Sequence, residues 1–222
     1  MENSDTALNK KYLTLFWDSI KLIETASEAT QFVKGSLIRA SIVSTILSIE
    51  CAANICISSL NLPLEVYNEV ERMDVIGKYN FYLYSIKKNL IDKSRNEYSI
   101  LKNLIRIRNN YAHPKVERGI FENGALLAQF GNDKNEIPFD IRIWNEELAV
   151  KILNNSVVFL NYYFKDLCNY SRGQSQTLLA SFEQSRNVND LTTLLVESDL
   201  YKLYEKYLNI KPDYLSILPY KT

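Results

Sequence analysis

Ala40–Leu60 reads ASIVSTILSIECAANICISSL, and the way this stretch is buried decides the fold. It carries a single charge, Glu50, and is long enough to span a bilayer. Glu50, however, sits mid-segment, where an acid costs about 2.5–3.5 kcal/mol on membrane-insertion scales. Ser41, Ser44, Ser48, Asn54, Ser58 and Ser59 dilute the hydrophobicity further. A protein core can offer a carboxylate a partner and a serine a backbone acceptor. The expectation is a central helix buried in a bundle, with no membrane partner.

Working outward, apolar residues from Thr6 to Lys34 keep near-helical spacing (Leu8, Tyr12, Leu15, Phe16, Ile23, Ala26, Val33). Gly35 and Ser36 punctuate before the central helix, which predicts two long antiparallel helices joined by a short turn. Asn61-Leu62-Pro63 breaks the chain and places Pro63 where a helix can begin. Residues 63–95 read as shorter helices interrupted near Gly77, with Tyr79, Phe81, Tyr82 and Tyr84 expected in the core rather than as a base-stacking platform. Asn96–Ala112 is a further helix, with Leu101, Leu104, Ile105 and Arg108 on one face. Ala125–Phe130 and Ile137–Ile143 flank Gly131–Glu136, which predicts a small β-hairpin inserted between helices near 125–143. Asn145 followed by Glu146 and Glu147 marks a helix start. Ser171–Gln176 reads as a polar linker, followed by helices over 177–186 and 190–209. The fold class is thus all-α in the main.

The chain has 222 residues, 46% of them hydrophobic and 12% aromatic, with few glycines and prolines and a net charge of zero. Overall charge therefore predicts no polyanion partner. Locally the balance is different. Between Lys87 and Arg118 nine basic residues face three acids, a surplus of six positive charges that suits a polyanion. Cys51, Cys56 and Cys168 form no C-x-x-C pair, and with a single histidine they make a structural zinc site improbable. No cofactor is expected. Met1-Glu2-Asn3-Ser4-Asp5 lacks the basic region and apolar core of a signal peptide, and reduced thiols in a cytoplasmic protein are the expectation.

That single histidine, His113, closes the run Arg108-Asn109-Asn110-Tyr111-Ala112-His113 inside the basic stretch. Imidazole titrates near neutrality and can move protons at physiological pH. Arginine stays charged and can grip a phosphate with two parallel hydrogen bonds. Arg108 also falls on the apolar side of its helix, where a charge is expensive unless paired or facing a site. His113 precedes Pro114, which pushes it out of helical geometry and ends the helix near Ala112. The plain alternative is a histidine capping a helix among solvated charges.

The spacing R-N-x-x-x-H resembles the R-x(4–6)-H motif of HEPN domains, whose ribonuclease members often carry asparagine after the arginine. Glu50 and Asn54, one turn apart on the apolar central helix, resemble the polar pair that many HEPN domains carry on their second helix. Glu50 then needs a cation, and Arg108 or His113 is the natural one. The resemblance covers about residues 6–170 and implies an up-and-down HEPN-like bundle over 1–170, with 171–222 as a C-terminal helical extension packed on it. The hairpin and the extension have no counterpart in the resemblance.

By that resemblance the chain is a metal-independent endoribonuclease acting as a homodimer whose two motifs face each other. The RNA 2′-hydroxyl attacks the adjacent phosphorus, leaving a 2′,3′-cyclic phosphate and a 5′-hydroxyl. His113 moves protons, Arg108 neutralises the phosphorane, and Asn109 donates to a phosphate oxygen or fixes the imidazole tautomer. Lys102, Arg106 and Lys115 are the expected RNA-binding residues, and single-stranded RNA is the expected substrate. A toxin or antiviral defence role, with an antitoxin or regulatory protein as partner, comes from the resemblance alone. A prominent toxin subgroup has a tyrosine two residues after the histidine; here Pro114 and Lys115 follow. The alternative is a non-catalytic HEPN module that binds nucleotide, RNA or protein. A metal-dependent nuclease is a weaker rival, since the sequence offers one histidine and no clustered acidic ligands.

Overall fold

Central to the fold is a 28-residue helix, α2 (Gln31–Ser58). A computed structural model describes residues 10–113, 119–122, 125–129, 141–180 and 199–215. By length and composition α2 could cross a membrane, yet 67% of its most apolar window is buried inside the protein. Ile38, Ile42, Ile46, Ile49 and Ala53 face the core. The serines that dilute its hydrophobicity find acceptors: the Ser41 hydroxyl donates to the Ser19 carbonyl at 2.8 Å and Ser44 to that of Leu15 at 2.8 Å, both on α1 (Tyr12–Glu28). These bonds stitch two long neighbours together while removing the cost of buried hydroxyls.

The break between α1 and α2 falls at Ala29 and Thr30, which are extended, and not at Gly35-Ser36 as expected. Helix α2 runs straight through Gly35, because a mid-helix glycine costs only about 1 kcal/mol, which tertiary packing readily offsets. Two short helices follow, α3 (Leu64–Glu71) and α4 (Val75–Lys87). Here too the interruption lies earlier than expected. Asp74 caps α4 by accepting from the Gly77 amide at 2.6 Å, so Gly77 belongs to the first turn of the helix. A Cβ at Gly77 would come within 2.9 Å of Asp74 Oδ1, so a side chain there would displace the capping carboxylate.

Helix α5 (Asn96–Ala112) ends at His113 as expected, and buries Leu101, Leu104 and Ile107, with Ile105 and Arg108 half-buried at the flanks. Strand β1 (Gly119–Glu122) pairs antiparallel with β2 (Ala125–Gln129). This differs from the expected pairing of Ala125–Phe130 with Ile137–Ile143. Ile141–Ile143 is a 3₁₀ turn, and 130–140 lies outside the described residues. The overlooked signal is Asn123-Gly124, the dipeptide that most favours a two-residue connection between strands.

Helix α6 (Glu146–Asn161) starts at Asn145, whose side chain accepts from the Leu148 amide at 2.9 Å, and continues into a π-helical turn, Tyr162–Leu167. It packs on α2, α5 and α1. The expected linker Ser171–Gln176 is instead the start of α7 (Arg172–Leu179), through a reciprocal Ser171–Gln174 capping box. Helix α8 (Asp199–Tyr207) lies against α1. Asn154 donates to the Tyr207 carbonyl at 2.9 Å, and the buried Tyr12 and Tyr214 hydroxyls meet at 2.6 Å. The described residues are thus helical in the main, and part of the C-terminal region contributes to the same core.

Candidate functional site

Three helices bring the site together. The Tyr79 hydroxyl on α4 donates to the Ile49 carbonyl on α2 at 2.8 Å, and Tyr163 donates in turn to the Tyr79 carbonyl at 2.7 Å. Burial pushes both phenols well above their ordinary range, so they remain neutral donors. This pins the start of α4 beside the Glu50–Asn54 turn of α2. The core face of α5 fixes the other side, and Arg108 reaches across to Glu50.

The Arg108 Nη2 lies 3.1 Å from Glu50 Oε2 and 3.2 Å from Oε1, so one guanidinium nitrogen spans the carboxylate. Nη1 donates to Asn109 Oδ1 at 3.0 Å. The two side chains of the pair are 33% and 22% exposed, which makes the pair reachable from solvent and worth about 1 kcal/mol or less. A pair of that strength holds the guanidinium in place while leaving it able to exchange its carboxylate partner for an anion from solvent.

Asn54 is not in contact with Arg108. Its Oδ1 accepts from the Lys78 ammonium on α4 at 2.7 Å. Lys78 is 7% exposed and is a member of the site that sequence reasoning missed. The signal was available: Lys78 is the lone charge between Val75 and Ile86 on an apolar helix, the same anomaly that drew attention to Glu50. A row of polar groups thus runs outward from the buried Lys78 ammonium through Asn54, Glu50 and Arg108 to Asn109. Its formal charge is one positive unit. Next to Glu50, burial pushes the Cys51 thiol up, which keeps it protonated and unsuited to nucleophilic work.

His113 lies at the end of α5, exposed, with its amide on the Asn109 carbonyl at 2.9 Å. Its imidazole makes no hydrogen bond among the described residues. On a continuing helix it would point about 140° from Arg108; the non-helical backbone at 113 (φ −130°, ψ 67°) releases it from that direction. Asn109, expected on a phosphate or on the imidazole, is engaged with Arg108 through its oxygen. Lys102 is exposed, whereas Arg106 is half-buried with Nε and Nη2 shielded from solvent. Lys115 lies outside the described residues. No group of three or more His, Cys, Asp or Glu side chains among the described residues could hold a metal ion.

Comparison of the chain with protein-family models, with curated proteins and with solved structures finds no match.

Proposed function

We propose that the chain is a metal-independent endoribonuclease with a HEPN-like bundle, acting on single-stranded RNA in the cytoplasm. The observation that carries the reading is the placement of Arg108. A guanidinium half-buried at the flank of the core face of α5 is held half-open by Glu50 and Asn109, five residues before an exposed histidine at the helix end. A structural ion pair would account for Arg108 and Glu50 alone. It would account neither for the histidine nor for the basic surroundings.

The chemistry assigned is transesterification. The 2′-hydroxyl oxygen forms a bond to the adjacent phosphorus while the bond to the 5′-oxygen breaks. His113, or its copy on a second subunit, takes the 2′-hydroxyl proton, and an imidazolium supplies one to the leaving oxygen. Arg108 shifts from the carboxylate to the phosphorane oxygens, where charge develops. Lys78, one turn along the site, raises the local positive potential. One histidine per chain is a thin set for both proton transfers, so a two-fold homodimer with a composite site belongs to this proposal.

The test is incubation of purified protein with labelled RNA in EDTA, beside His113→Ala and Arg108→Ala. Cleavage to a 2′,3′-cyclic phosphate that both substitutions abolish is the expected result. Binding without cleavage in wild type would favour a non-catalytic RNA-binding module. Activity that EDTA stops would favour a metal-dependent enzyme.

A further inference from the structure

Tyr111 lies between Arg108 and His113 in the sequence and has no part in the chemistry above. It sits three residues beyond Arg108 on α5, where side chains three apart are surface neighbours with Cβ atoms about 5–6 Å apart. Its ring stacks on that of Trp144, with centroids 6.0 Å apart and planes 23° from parallel. Trp144 is 6% exposed and Tyr111 is 38% exposed. The buried indole therefore backs one face of the phenol ring, while a substantial part of Tyr111 remains open to solvent. Ile141 and Ile143 of the 3₁₀ turn that precedes Trp144 are also exposed.

We infer that the open face of Tyr111 stacks a nucleobase of the bound RNA strand, an inference that rests on the ribonuclease reading above and assigns its base subsite. Positions 108 and 111 are surface neighbours on the helix, so a strand whose phosphate meets the guanidinium passes beside the phenol ring, which takes the base. Stacking of this kind accepts any base, because each has a π-face, and favours purines for their larger area. It also selects for single strands: a base inside a duplex already has neighbours on both faces, whereas an unpaired one can be splayed onto the ring. Trp144 beneath acts as the positioning residue, holding the phenol flat.

The probe is a short 2′-O-methyl oligoadenylate, which cannot be cleaved, beside the same backbone without bases, with binding to the full chain read by fluorescence anisotropy. Tyr111→Ala and Tyr111→Leu should each weaken the oligoadenylate about tenfold, and Tyr111→Phe should keep it. The abasic strand should bind wild type and Tyr111→Ala alike. Circular dichroism should show unchanged helix content, as expected for a partly exposed site. If Tyr111→Ala binds the oligoadenylate as tightly as wild type while Arg108→Ala still weakens it, the base subsite is overturned and the ribonuclease reading stands. If Tyr111→Phe fails like Tyr111→Ala, the hydroxyl and not the ring face is at work, and stacking is overturned. If neither strand binds wild type, the RNA reading falls and the subsite with it.

Discussion

Arg108 shows how a single residue can be placed by two opposing needs. Its helix buries Leu101, Leu104 and Ile107, which draws the arginine inward, and its charge then requires Glu50. Removing the partner should expose that dependence. Glu50→Ala is expected to lower RNA cleavage about tenfold, because an unanchored guanidinium samples many positions. Its thermal unfolding should change by no more than about 1 kcal/mol, since the pair is partly solvated. A cleavage rate equal to wild type would remove Glu50 from the site. His113→Ala should abolish cleavage outright with an intact circular dichroism spectrum, because the exposed imidazole supports no core contact among the described residues. Residual cleavage in that protein would defeat the catalytic assignment. Lys102 and Arg106, equivalent in sequence, should now separate. Lys102→Ala should weaken RNA binding and flatten its salt dependence, whereas Arg106→Ala should act chiefly on stability, because two of its nitrogens are shielded from solvent.

At the scale of elements, the caps and clamps decide where helices begin and how they dock. Asp74 sets the first turn of α4, and with it the reach of Lys78 to Asn54. Asp74→Ala should cost about 1 kcal/mol in denaturant unfolding, and loss of RNA affinity would accompany it if the placement of Lys78 matters. Helix α8 is held on α1 by Glu24, which accepts from Lys206 at 2.6 Å and from Tyr207. The Lys206 ammonium, followed by the Tyr207 hydroxyl, holds the Glu24 carboxyl below its ordinary range. The clamp is therefore fully present above that ordinary range and is lost as pH falls through the depressed value. Protection of the 199–207 amides against hydrogen exchange, relative to the intrinsic rate at each pH, should fall below about pH 4, and Glu24→Gln should remove that pH dependence. An unchanged profile in Glu24→Gln would show that other carboxylates govern the docking.

For the whole molecule, the question is whether one chain suffices. A shared site predicts that mixing wild type with His113→Ala lowers activity by more than dilution, because mixed dimers lose one of two imidazoles. Strictly proportional loss, or a cleaving monomer by sedimentation, would defeat the composite site. The central position of α2 has a consequence at the same scale. Ile46 is fully buried on the helix that α1, α4 and α6 all contact, so Ile46→Ala should destabilise the protein by about 2–5 kcal/mol and impair the site through loss of the fold.

Period and end signals alone were enough to determine several features. The apolar run around Glu50 implied a buried helix, Pro114 implied the end of α5 at Ala112, and Asn145 implied the start of α6. Lone charges on apolar helices also carried information, because burial without a partner is costly whatever the surrounding fold. Gly35, Gly77 and Ser171 misled because a glycine is permitted both in a break and in a helix, and a serine both in a linker and in a cap. Only the tertiary structure chose between them, through the packing of α2 on its neighbours, the Asp74 cap and the Gln174 reciprocal bond. It alone decided that Glu50 meets Arg108, that Asn54 meets Lys78, and that Tyr111 lies on Trp144. Each of these joins residues at least 24 positions apart, a distance over which no local periodicity acts.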